Sequence, residues 1–154
     1  PTPAPITPSA PVTATAPSVG ARAGVAGSHA GPQLPVDVAA RGADFVAFTG
    51  HKMVGPTGIG VLWGRYDLLA ELPPFLGGGE MIETVWMDHS TFATPPHKFE
   101  AGTMPIAEAA GLSAAIVYLN ATGRGSIHAH EQARRRAAPT PRTGCYGLRT
   151  LGPA

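Results

Sequence analysis

The sequence predicts an α/β fold, on three observations. Two short apolar runs, Phe45-Val-Ala-Phe48 and Ile59 to Trp63, are each long enough for a buried strand. Between them lies a glycine-punctuated turn that holds Thr49, His51 and Lys52. Further on, Ile106, Ala109, Ala110, Leu112, Ala114, Ile116, Val117 and Leu119 give a helix with a wide apolar face. A turn at a strand end is where α/β enzymes place their chemistry. The stretch from Asp44 to Gly60 therefore organises the rest.

The totals set bounds. At 154 residues the chain is about one domain long. Charged residues are only 14% and the net charge is +1, which implies no broad attraction to nucleic acid or to an anionic membrane. A single cysteine cannot form an internal disulfide, which fits a reducing, cytoplasmic location. No apolar run approaches the roughly 20 residues of a membrane span. The first residues lack the basic and apolar regions of a signal peptide, and there is no initiating Met, as expected of a fragment or processed product.

Taken in order, residues 1–26 are low complexity, dominated by Pro, Ala, Thr and Ser, and are expected to be disordered or polyproline-like. Gly27 to Pro35 reads as a loop, and Val36 to Gly42 as a short helical turn ended by glycine. The two strands and their turn follow. Asp67 is placed to cap a short helix, Leu68 to Leu72, which Pro73-Pro74 stops. Gly77-Gly-Gly79 is a flexible point, Glu80 to Met87 reads as extended, and Asp88 to Pro96 as polar and turn-rich. Pro105 suits the first turn of the long helix and Gly123 its end. A further helix begins at Gly125 and runs to about Gln132. Residues 133–154 form a biased tail, so organised sequence spans 27–132.

Lys52 is the first candidate for chemistry. Most lysines are solvated surface groups, and that reading stays open. A desolvated lysine is instead nucleophilic and forms a Schiff base with a carbonyl. Thr49 and His51 flank it, and a hydroxyl and an imidazole N–H both donate to phosphate oxygens. Taken singly, a turn-stabilising Thr and a half-buried His are the plainer alternatives. Together with Lys52 they suit a ligand with a phosphate and an aldehyde, as pyridoxal 5′-phosphate has. A P-loop is rejected, because Pro56 and Thr57 stand where Lys and Ser/Thr are required. The six histidines give no metal-ligand spacing: His128 and His130 are two apart, and His89 and His97 lie in loop-like text. Asn120-Ala-Thr122 fits a glycosylation sequon by chance.

Thr49-Gly-His-Lys-Met-Val-Gly-Pro-Thr-Gly-Ile-Gly60 resembles the cofactor-lysine signature of the cysteine desulfurases of the class V aminotransferase family, the SufS-like group in particular. Leu34-Pro-Val-Asp-Val38, Pro73-Pro-Phe-Leu-Gly-Gly-Gly-Glu-Met-Ile82, Lys98-Phe-Glu-Ala-Gly-Thr103 and the Gly111 to Leu119 helix resemble it in the same order. The resemblance implies part of the large domain of a fold-type I, pyridoxal-phosphate-dependent homodimer. Its activity would convert L-cysteine to L-alanine, with sulfur passed to an enzyme cysteine as persulfide for iron–sulfur cluster assembly and a sulfur-acceptor protein as a possible partner. Lys52 would form the Schiff base and shuttle the substrate α-proton. Thr49 and His51 would bind the cofactor phosphate, Thr103 would reach the phosphate in the partner subunit's site, and Gly77-Gly-Gly79 would line the entrance nearby.

The departures concern the rest of that site. The family's acidic partner of the pyridine nitrogen falls at Ala26, and its glutamine beside the ring oxygen falls at His29. Alanine cannot hold the pyridinium proton, whereas His29 still donates to the ring oxygen. No ring-stacking histidine is found upstream, and Cys145 does not fit the persulfide motif. Two alternatives therefore stand beside the desulfurase: an inactive truncated or frame-disrupted remnant with its junction at Gly27, and a related class V enzyme such as a selenocysteine lyase.

Overall fold

The structure, a computed structural model, describes residues 9–40 and 42–137. Its centre is β2 (Phe45–Thr49), where Val46 is buried and the side chains alternate between two faces. β3 (Gly60–Gly64) pairs antiparallel with it, Phe45 opposite Gly64 and Thr49 opposite Gly60. β1 (Gly24–Ala26) pairs parallel on the other side, with Ala26 beside Ala47, so the strand order is β1-β2-β3. A parallel pair needs a crossover of about a dozen residues or more, and the turn-rich stretch after β1 supplies it.

Asp44 fastens the three strands at one end. It is buried, and its Oδ2 accepts the Ala23 N–H at 2.8 Å while Arg65 Nη1 donates to Oδ1 at 3.4 Å. A buried carboxylate is tolerated only when hydrogen-bonded or paired in this way. The Arg65 guanidinium also donates to Asp67 at 2.6 Å. That bond holds the Asp67 carboxyl below its ordinary value and raises Arg65.

α3 (Ile106–Thr122) buries Leu112, Ala115 and Leu119, a seam spaced three and four residues apart. Gly111 faces Pro56, where an added Cβ would lie 3.0 Å from Pro56 Cγ, so the helix sits directly on the turn between β2 and β3. Gly123, at φ 82°, ends α3 by donating to the Leu119 carbonyl at 3.0 Å. α4 (Arg124–Ala137) follows, and its Arg124 Nε donates to the Gly31 carbonyl at 3.1 Å. A second sheet, the hairpin of β4 (Ile82–Val85) and β5 (Ser90–Phe92), stands apart with Trp86 stacked on His89 at its tip. Lys98 is buried, and its ammonium donates at 2.7 Å to the Ala70 carbonyl in the last turn of α2 (Tyr66–Glu71).

Several expectations change. Ser9–Thr15 is a helix, α1, followed by a 3₁₀ turn over Ala16–Val19, where an extended or disordered chain was expected. Pro11 sits in the first turn, where its missing N–H has no partner to lose. The Thr13 and Thr15 hydroxyls donate back to the Ala10 and Pro11 carbonyls at 3.0 and 2.9 Å. β1 lies inside the stretch set aside as low complexity, and β5 inside the stretch read as turns. Asp67 is within α2 rather than capping it, since Arg65 holds its carboxylate. The described residues between 36 and 42 form a turn, with the Gly42 N–H donating to the Ala39 carbonyl at 3.2 Å. α4 runs five residues past the expected Gln132. Residues 1–8, Cys145 and the tail after Ala137 lie outside the described residues.

Candidate functional site

Thr49 closes β2, and the chain turns at once into one 3₁₀ turn, Gly50–Met53. Close contact shapes this turn. The Gly50 N–H donates to the Ile59 carbonyl at 2.9 Å and its own carbonyl accepts from Gly55 at 3.0 Å. A Cβ on Gly50 would lie 2.7 Å from Ile59 Cγ2 and 2.9 Å from the Pro56 carbonyl, so only glycine fits. Met53 is buried and anchors the turn, which leaves His51 and Lys52 exposed. Val54 ends the turn at φ 53°, a left-handed conformation that is costly for a β-branched residue. Such strain persists where the surroundings impose it, and it concentrates at functional turns.

The loop after β1 reaches the same place. Gly31 lies beside Met53, and this brings His29 Nε2 to 3.0 Å from Lys52 Nζ. Lys52, for which a solvated and a desolvated reading both stood open, is thus an exposed amine with an imidazole beside it. Among the described residues no carboxylate lies within ion-pair reach of either group. Thr49 Oγ1 is buried and has no hydrogen-bond partner among the described residues. Most buried polar atoms are paired, so this orphan hydroxyl marks a place for an acceptor. Ala26, in register with Ala47, presents a methyl on the sheet face that Thr49 shares.

The structure thus brings Lys52, His29, Thr49 and His51 to one end of β2. Thr103 follows Gly102, at φ 81°, is exposed, and among the described residues makes no hydrogen bond to that group. Its turn is joined to the glycine run: Gly102 N–H donates to the Gly79 carbonyl at 3.0 Å, and Gly78 packs on Ala101. Among the described residues no cluster of three His, Cys, Asp or Glu is arranged for a metal, and no helix is long and apolar enough to cross a membrane. Sequence reasoning missed the left-handed Val54 and the Asp44 fastening, for which neither position carries a local signal.

The sequence model of the aminotransferase class-V family matches residues 5–150, and the chain belongs to that family. The match takes in most of both flanks that composition set apart. A probable cysteine desulfurase of Streptomyces coelicolor is 61% identical over 135 residues, which are 88% of this chain and 32% of that protein. The crystal structure of the Escherichia coli cysteine desulfurase CsdA superposes with a TM-score of 0.76 at 40% identity, covering 84% of this chain and 32% of that one. A C-DES mutant with glycine covalently linked to its PLP cofactor superposes with a TM-score of 0.54 at 30% identity, covering 69% of this chain and 28% of that one. The fold is accordingly part of the α/β large domain of such enzymes, and the chain spans about a third of the length of these relatives.

Proposed function

We propose that this chain is the lysine-bearing part of a pyridoxal-phosphate-dependent cysteine desulfurase. The substrate would be L-cysteine and the products L-alanine and a persulfide. The single observation that carries the reading is the buried, unpartnered Thr49 hydroxyl three residues before the exposed Lys52 amine. The residues fit two handles of the cofactor. Thr49 Oγ1 has a hydrogen to donate to a phosphate oxygen, and its burial keeps water from competing. Lys52 offers an amine that pairs with no carboxylate among the described residues. His51, one residue away and exposed, is a second phosphate donor. When bound, the cofactor supplies an aldehyde and a ring that draws electrons from bonds at the substrate α-carbon.

Thr103 and the glycine run joined to its turn fit the reading as a unit that serves a second subunit of a homodimer, since Thr103 is exposed. A SufS-like role in iron–sulfur cluster assembly, with a sulfur-acceptor protein, extends the same reading. Ala26 favours a second one: a chain that binds the cofactor and does not turn cysteine over. Its methyl offers nothing to a ring nitrogen, so the electron sink is weakened.

The test uses the whole chain. It is mixed with pyridoxal 5′-phosphate, reduced with borohydride and mapped by mass spectrometry. An adduct on Lys52 is expected, and its absence from a folded chain sinks the proposal. Alanine release from L-cysteine separates the desulfurase from the inactive binder, and release from selenocysteine alone identifies the lyase.

A further inference from the structure

Lys52 Nζ and His29 Nε2 are 3.0 Å apart. An ammonium has three donors and no lone pair, so with the amine charged the imidazole nitrogen is the acceptor. His29 then carries its ring proton on Nδ1. The loop 27–34 has no other titratable side chain, and on the Lys52 turn the only other one is His51. Neither Lys52 nor His29 has an ion-pair partner among the described residues. Among the described residues the imidazole is thus the one group within hydrogen-bond distance of the amine. The contact joins residues 23 apart in sequence and depends on the packing of Gly31 against Met53.

We propose that His29 is the proton acceptor and positioning residue of Lys52. One proton moves. An N–H bond of the ammonium breaks, its electron pair stays on Nζ, and the proton bonds to the lone pair of His29 Nε2. An uncharged, nucleophilic amine and an imidazolium result, with no change in redox state and no further reactant. Once protonated, the imidazole no longer accepts from Lys52 until it has passed that proton to solvent. The amine is therefore delivered only where the imidazole starts neutral. This deepens the reading of Lys52 as the reactive lysine, and its test does not need the cofactor.

The whole chain, without pyridoxal phosphate, is trace-labelled with N-acetoxysuccinimide from roughly pH 5 to pH 9, the span that brackets imidazole titration. Acetylation of Lys52 and of buried Lys98, the other lysine in the sequence, is measured by mass spectrometry. His29→Ala is expected to slow labelling of Lys52 at neutral pH by about a hundredfold or more, the low side of general-base contributions, and to remove the inflection in the imidazole range. Lys98 reports the fold. If its labelling accelerates in His29→Ala, the comparison passes to His29→Gln, which keeps an acceptor but cannot titrate and is expected to lose the inflection. An unaltered Lys52 rate and profile in the folded variant overturns the proposal. Borohydride trapping with pyridoxal phosphate is a separate readout, so failure of cofactor binding and failure of proton transfer are distinguishable.

Discussion

At the scale of single residues, Thr49 separates a structural role from a binding role. Its hydroxyl is buried without a partner, and an unsatisfied buried polar group costs about 1–3 kcal/mol. Thr49→Val removes that cost at nearly the same volume and suits a strand end. The chain without cofactor is expected to gain about 1 kcal/mol, while its affinity for pyridoxal phosphate falls about tenfold, the worth of one hydrogen bond to a charged group. Thermal melting and a binding titration check the two halves. A variant that loses stability without cofactor shows that the hydroxyl already has a partner. The sequence showed Thr49, His51 and Lys52 together because they fall within four residues, and His29 came from the family resemblance. The His29–Lys52 contact was not legible, because no local pattern says which face a loop turns toward a residue 23 positions away.

At the scale of elements, the turn between β2 and β3 is set by a lack of space. An alanine at Gly50 would place Cβ 2.7 Å from Ile59 Cγ2 and 2.9 Å from the Pro56 carbonyl. The Ile59 side chain can rotate away, but the carbonyl belongs to the backbone of the turn. Overpacking of this kind costs about 1–3 kcal/mol. Gly50→Ala is therefore expected to lower stability by about that amount and to displace the Lys52 segment. Denaturant unfolding measures the loss, and unchanged stability would show that the turn yields freely. The same packing explains which elements the sequence revealed. β2 and β3 are five-residue strands built on apolar runs and α3 is a helix with a wide apolar face, and each announced itself. β1 and β5 have three residues each, too few to show a period. The sheet makes β1 a strand: Asp44 binds Ala23 just before it, and Gly27 N–H donates to the Ala47 carbonyl at 2.7 Å just after it. α1 was hidden by proline, which composition reads as a breaker and the first helical turn accepts.

At the scale of the whole molecule, the sheet among the described residues has three strands, so β3 has a hydrogen-bonded neighbour on one side only. The strand is Gly-Val-Leu-Trp-Gly, with Leu62 58% exposed and Val61 exposed as well. α3 adds Ile106, Val117 and Tyr118, all exposed, although the helix is apolar enough to be covered on most sides. An unprotected apolar edge pairs with other chains, and a charged side chain on it blocks that pairing. Two effects of Leu62→Lys can be weighed. The side chain is largely in water already, so the change to the fold is within about 0.5 kcal/mol, the usual range for an exposed site. The edge, by contrast, gains a charge that a second strand would have to bury. The variant is expected to melt where the unaltered chain melts and to associate much less as concentration rises, as light scattering and sedimentation would show. Equal association in the two proteins would move the sticky surface from β3 to the exposed face of α3, for which Val117→Lys is the corresponding change.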